Sequence, residues 1–261
     1  NKGNYDGMII KYSAEGECEW AKVIGGSSSD QINSVAETSD GGIIAGGRFE
    51  SDVNLGNGVS ISNKGSYDGM IIKYDKTELP NPTTIQAKGI GGNGSEQINS
   101  VAETKDGGIV TGGSFDSSSI DLGNGVVLSK KGSSDGMIIK YNSSGECEWA
   151  KGIGGSEKDE INAVASTSDG GILAGGHFGS SSIDLGNGVS ISNKSRSTGY
   201  PDGMIIKYNA EGECEWAKGI GGFSEDKIAS VATTSDGGII AGGYFEESID
   251  LGNGVILTNN G

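Results

Sequence analysis

The sequence predicts an all-β chain that uses one four-stranded unit four times, and three observations carry that prediction. First, the phrase DGMIIKY returns at Asp6, Asp68, Asp135 and Asp202, at spacings of 62, 67 and 67 residues; a fixed period of this length points to a repeat architecture. Second, the apolar runs are short, rich in Ile and aromatics, and bounded by Gly and Asp, as strands are. Third, no window carries the apolar period of an amphipathic helix. The composition agrees: Gly supplies 49 of 261 residues and Pro only 3, which fits many tight turns between short strands rather than collagen or a loose linker.

Each unit resolves into four strands. Strand a is INSVAET, strand b is GGIIAGG, strand c is DGMIIKY and strand d is CEWAKGI, as read from the best-matched copies. The turn SDGG joins a to b, where Asp-Gly favours the primed hairpin types. SSGE or AEGE joins c to d. Longer connections run from b to c and from d to the next a. The b–c connection holds SIDLGNGVSIS, in which Asn-Gly between alternating apolar residues signals a further hairpin. Two insertions break the pattern: TELPNPTTIQAKGI around Pro80 and Pro82, expected to bulge from the uniform face, and SRSTGYP (195–201), expected on the opposite one.

A four-stranded antiparallel meander repeated in series is the blade of a β-propeller. One domain covering 1–261 is expected, built from repeats 1–62, 63–129, 130–192 and 193–261. The chain begins on strands c and d and ends on strands a and b. The expectation is therefore four blades closed by strands from both termini, which would remove exposed sheet edges. The alternative is a segment of a larger propeller or repeat array. The stretch DGMIIKYNSSGECEWAKGIGGSEKDEINAVASTSDGGILAGG (135–176) resembles bacterial β-propeller repeat proteins, the group that includes the SBBP repeats. The likeness covers essentially the whole chain, and the paired glycines after strand b are similar to those of kelch blades. The resemblance implies a propeller fold and a binding or scaffold role. It carries over no catalytic residue.

Chemistry enters through what varies. In GGIIAGGxF the position x is Arg48, Ser114, His177 and Tyr244 in turn. The d–a connections vary as well and include Phe223. The SDGG turns at the other end stay nearly constant. One end of the array is uniform and the other is diversified with residue types that make good contact anchors. The plain alternative is unselected variation at exposed positions. Asp30, Glu96, Asp159 and Asp226 open strand a; they either cap it by hydrogen bonds or line an opening that holds a cation. Asp121, Asp184 and Asp250 in DLGNG invite a calcium reading, but Asn54 breaks the set and the dense ligand series of a calcium loop is missing.

Net charge is −16, which argues against nucleic acid or an anionic membrane surface as partner. No apolar run is long enough to span a bilayer. Cys18, Cys147 and Cys214 occupy the same phrase, GECEW, and are expected as free thiols rather than a disulfide framework. The chain holds one histidine, and neither a Ser-His-Asp set, a metal-ligand cluster nor a phosphate loop is visible. The reading is a non-enzymatic propeller without cofactor or metal, as a monomeric ring or part of a larger protein. It engages a protein or glycan partner through Arg48, Ser114, His177, Tyr244 and Phe223. A structural spacer in a bacterial surface protein is the alternative. An extracellular or cell-surface location is expected, with the cytoplasm as the alternative that unpaired thiols favour.

Overall fold

The computed structural model describes residues 3–75, 84–195 and 200–259. The insertion around Pro80 and Pro82 and most of SRSTGYP fall outside them. Among the described residues every regular element is a strand, and no helix is long and apolar enough to cross a membrane. The chain enters on the antiparallel pair β1 (Gly7–Tyr12) and β2 (Cys18–Ile24). Next come β3 (Asp30–Glu37), β4 (Ile43–Phe49), the hairpin β5 (Val53–Gly56) and β6 (Val59–Ile61), then β7 (Asp68–Tyr74) and β8 (Thr84–Ile90). The same sequence of elements repeats as β9 (Glu96–Glu103), β10 (Ile109–Phe115), β11 (Ser119–Asp121), β12 (Val127–Ser129), β13 (Asp135–Tyr141) and β14 (Cys147–Ile153). It repeats again as β15 (Asp159–Ser166), β16 (Ile172–Phe178), β17 (Ser182–Gly186), β18 (Val189–Ser192), β19 (Asp202–Tyr208) and β20 (Cys214–Ile220). The last described elements are β21 (Asp226–Thr233), β22 (Ile239–Phe245), β23 (Ser248–Asp250) and β24 (Ile256–Thr258).

Three complete sheets result, in the orders β3-β4-β7-β8, β9-β10-β13-β14 and β15-β16-β19-β20, each an antiparallel meander. These are the a-b-c-d units of the sequence. The pairs β1-β2 and β21-β22 stand as separate two-stranded sheets. The expected closure of the ring by strands from both termini is not confirmed: β22 does not pair with β1, and both leave an open edge. Among the described residues the array of sheets is therefore open.

The sheets stack through a repeated knob and seat. Strand a of each sheet packs against strands a and b of the preceding one, so β3, β9, β15 and β21 lie neighbour to neighbour. The first glycine of the AGG or TGG triplet in strand b makes this possible. A Cβ built on Gly46 would lie 2.5 Å from Val101 and 2.7 Å from Ile98. One on Gly112 would lie 2.6 Å from Ile161 and 2.7 Å from Val164, and one on Gly175 2.5 Å from Val231 and 2.8 Å from Ile228. The missing side chain is the hole into which the Ile and Val of the next strand a insert, at the density of a protein interior. A β-bulge in every strand a, between its Ile and its Ser or Ala two residues on, lifts one residue out of register. In the first three units that residue is Asn, and the amides of Asn33, Asn99 and Asn162 donate to the carbonyls of Ile98, Ile161 and Ile228 at 2.7–2.9 Å.

Trp149 of strand d packs between neighbouring sheets, as a Trp per blade does. The Trp149 ring lies 6.1 Å from that of Tyr208 in the next sheet, and its Nε1 donates to Ala210 O at 3.0 Å. Gln86 replaces Trp in the second copy and reaches the equivalent turn, donating to Ser144 O at 3.1 Å.

The turns differ from the expectation in one respect. Gly41, Gly107, Gly170 and Gly237 have positive φ, but the Asp before each does not. Gly41 N donates to Thr38 O and Thr38 N to Gly42 O, both within 2.9 Å. This is a three-residue loop with a left-handed Gly bulge, not a primed two-residue turn. The Thr hydroxyl and the Asp carboxylate hydrogen-bond each other and hold that shape. The Asn-Gly turns do carry two positive φ values, at Asn57–Gly58, Asn124–Gly125, Asn187–Gly188 and Asn253–Gly254, as the primed type requires.

All three cysteines are free, with Cys147 and Cys214 buried and Cys18 exposed. Burial pushes the Cys147 thiol up to about 11, which suppresses the reactive thiolate. Cys147 and Cys214 should therefore stay unmodified by a thiol reagent in the native state and react fully after unfolding without reductant. Mass spectrometry that finds either of them in a disulfide, or modified at the native-state rate of Cys18, would contradict this packing.

Candidate recognition surface

The diversified end of the array rests on buried carboxylates. Asp30, Glu96, Asp159 and Asp226 are each the first residue of a strand a, and each is buried. Asp30 accepts from Gly26 N at 2.8 Å and Glu96 from Gly92 N at 3.0 Å. Asp159 accepts from Gly155 N at 3.0 Å and Asp226 from Gly222 N at 2.8 Å. The other oxygen reaches the b–c connection: Glu96 takes Ser117 N at 2.9 Å, Asp159 takes Ser180 N at 3.2 Å and Asp226 takes Glu246 N at 3.1 Å. Each carboxylate ties the two connections of its sheet together. Of the two sequence readings for these acids, capping is the one the geometry matches.

A second buried set, Asp68, Asp135 and Asp202, opens strand c and accepts from Lys64 N, Lys131 N and Lys194 N at 2.7–2.9 Å. Burial raises the Asp30, Asp68, Asp159 and Asp226 carboxyls above the usual range, against the pull of these backbone donors. It pushes Asp202 up to about 6, with the charge of Asp226 adding to the effect. Among the described residues no group of three or more His, Cys, Asp or Glu converges as a metal set. The DLGNG acids have a structural task. Asp121, Asp184 and Asp250 each accept the N–H of the residue two along at 2.8–2.9 Å, and Asn54 does the same at 2.9 Å. A neutral amide oxygen serves that Asx turn as well as a carboxylate, which is why Asn replaces Asp without loss.

The varying position lies inside strand b. Arg48, Ser114, His177 and Tyr244 sit opposite Gln31, Gln97, Glu160 and Lys227 of strand a. Arg48 is half-buried; its guanidinium lies 4.8 Å from the Tyr67 ring centroid, and Nη1 donates to Gln97 Oε1 at 3.1 Å. The Gln97 amide donates to Asn99, and Asn99 Nδ2 donates to Glu160 Oε1 at 2.8 Å. Glu160 holds Lys158 at 3.3 Å and lies 4.0 Å from His177 Nε2. A polar ladder thus runs from Arg48 to His177 across three sheets.

Ser114 is half-buried between Gln97 and Gly136. His177 is buried to 5% exposure. Tyr244 and Phe223 are exposed, and the Tyr244 hydroxyl donates to Glu225. The structure therefore brings Arg48 and His177 into one network and leaves Tyr244 and Phe223 on the surface near the last strand pair. Gln97, Asn99 and Glu160 were missed by the sequence reading. Their signal was present: the second residue of strand a varies as Gln31, Gln97, Glu160 and Lys227, in step with the strand b position it faces.

No family model matches the chain. A segment of 119 residues, 46% of this chain, is 30% identical to the regulatory protein FlaEY of Caulobacter vibrioides. That match spans 12% of FlaEY. Among solved structures, Sqt1 of Chaetomium thermophilum aligns over 84% of this chain and 68% of its own, at 12% identity and a TM-score of 0.35.

Burial holds the His177 imidazole down to about 4, Lys227 adds to that, and Glu160 opposes it. The stability that neutral His177 contributes is fully present above its ordinary 6.5; it is lost as the pH falls toward 4, because the unfolded chain takes up the proton first. The chain has one histidine, so its imidazole proton resonances need no assignment. They should show no inflection between pH 5.5 and 8, whereas a midpoint near 6.5 would mean that the ring is solvated.

Proposed function

We propose that the chain is a non-enzymatic recognition module of propeller-type blades, which engages a protein or glycan partner through the end that carries the b–c and d–a connections. One observation supports this most. The backbone at that end is stapled identically in every sheet by buried acids, while the side chains mounted on it change from Arg48 to Ser114, His177 and Tyr244. A constant frame with changing side chains is how a rigid scaffold presents a site.

Arg48, Tyr244 and Phe223 are the contact residues in this reading. His177 and Ser114 shape the ladder beneath them. Arginine and tyrosine dominate binding energy at interfaces, and their truncation typically costs about 2 kcal/mol or more. The resemblance to SBBP-type repeats and the similarity to a segment of a regulatory protein favour binding over catalysis.

The test begins with a glycan array and a pull-down using the whole chain. Once a partner is found, Arg48→Ala and Phe223→Ala should each weaken it roughly thirty-fold. Asp40→Ala and Asp236→Ala, on the turns at the opposite end, should leave the affinity unchanged. If the two Asp variants abolish binding and the two anchors do not, the recognition surface lies at the wrong end.

A further inference from the structure

Each joint between sheets buries two carboxyl groups that belong to different sheets. Asp68, Asp135 and Asp202 open strand c and are wholly buried, as are the acids that open the next strand a, Glu96, Asp159 and Asp226. The strand c carboxyl lies directly on the first glycine after strand d. A Cβ on Gly91, Gly154 or Gly221 would stand 2.2, 2.6 or 2.5 Å from Oδ1 of Asp68, Asp135 or Asp202. The same point on Gly154 is 2.9 Å from Oδ2 of Asp159. The two acids of a joint therefore meet over a glycine, and each strand c carboxyl acts through its charge on the neighbouring strand a acid or feels the charge of that acid.

The three pairs are not alike. At Asp135 both oxygens are taken, Oδ2 by Lys131 N at 2.7 Å and Oδ1 by Gly132 N at 3.2 Å. At Asp68 and Asp202, Oδ2 accepts from Lys64 N at 2.9 Å and Lys194 N at 2.8 Å, while Oδ1 is buried and accepts no hydrogen bond. Their partners Glu96 and Asp226 each accept a backbone N–H on both oxygens. In these two pairs Oδ1 of the strand c acid is thus the one oxygen where a proton would stand beside no existing donor.

The surrounding charges act in the same direction. Asp68 faces Glu96 and the exposed Lys64; Asp202 faces Asp226 and the exposed Lys194. Asp226 in turn faces Glu246 and Glu247. Burial and a like charge both disfavour the ionised form, and a buried carboxylate oxygen without a donor is costly to keep charged.

We propose that Asp68 and Asp202 each take up a proton on the buried Oδ1 in mildly acidic solution, so that two joints at the connection end tighten as the pH falls from neutral. The sign follows from linkage. Both carboxyls are raised above the ordinary 3.8, Asp202 to about 6, so the folded chain binds these protons before the unfolded chain does. Their contribution to stability therefore grows as the pH falls toward 3.8. His177 acts in the opposite sense over the same range, and comparing wild type with a single variant at each pH cancels its effect.

The test is urea unfolding between pH 5 and 8 of the wild type, Asp68→Asn, Asp202→Asn and Asp135→Asn. Asparagine reproduces a neutral carboxyl, and at positions 68 and 202 its NH2 can occupy the place of the orphan oxygen. At position 135 the NH2 must face an N–H that already donates there. At pH 8 Asp202→Asn should fold more favourably than the wild type by about tenfold or more in the equilibrium constant. That lead should shrink as the pH falls to 5. Asp68→Asn should follow the same trend, and Asp135→Asn should be less stable than the wild type at pH 8.

Carbon NMR of the wild-type side-chain carboxyls gives a second reading that does not depend on any variant folding. The Asp202 carboxyl should titrate with a midpoint near 6. A midpoint below 4 overturns the proposal for Asp202. So do Asn variants at 68 and 202 that lose stability at pH 8 as Asp135→Asn does. Calcium or magnesium that stabilises the wild type but neither of these two variants overturns it as well, since the pair would then hold a cation instead of a proton.

Discussion

The architecture depends on a hole. In β4, β10 and β16 one glycine stands where any side chain would occupy the space taken by the Ile and Val of the next sheet, at 2.5–2.8 Å from its Cβ position. This one omission lets the sheets approach closely enough for the strands a to lie side by side. The rest is arranged around it: the bulge that frees an Asn amide to reach the next carbonyl, the Ser hydroxyl that takes the following Val N–H, and Trp149, which packs between neighbouring sheets. The contact is local and repeats, so stability accumulates joint by joint, as in other repeat proteins.

The buried acids solve a different problem. Two connections leave the same end of every sheet and would otherwise move independently. A carboxylate at the first residue of strand a accepts one N–H from each, and a second at the start of strand c holds the return. Burial of several like charges at one end has an electrostatic cost, visible as carboxyls raised above their usual range. It is offset by backbone donors, which stabilise the ionised form. Varying side chains between these staples leaves the frame intact, and this is why positions 48, 114, 177 and 244 tolerate Arg, Ser, His and Tyr.

Much of the fold was legible in the sequence because period 2 and Asn-Gly or Gly-Gly punctuation are local signals. The four strands per unit, their order and the meander follow from them. Closure was not legible, since it depends on the small rotation between successive sheets, a sum over packing that no local pattern encodes. The SDGG loop was misread because Thr38 and its equivalents, one residue upstream, shift the turn from two residues to three. For the candidate site, the varying position was visible, but its depth was not: His177 lies within strand b and packs against a neighbouring sheet, a relation between residues some fifty apart in sequence, such as His177 and Lys227.

The claim that seated knobs hold the sheets together is tested most directly by a double-mutant cycle at one internal joint. Gly112→Ala, Val164→Ala and the double variant would be unfolded in denaturant. The account predicts that the Val164 truncation relieves part of the clash at Gly112, the part that Ile161 does not supply, so that the pair couples by about 0.5–3 kcal/mol. Strictly additive losses would contradict it, because Gly112 and Val164 would then not share the space that the structure gives them.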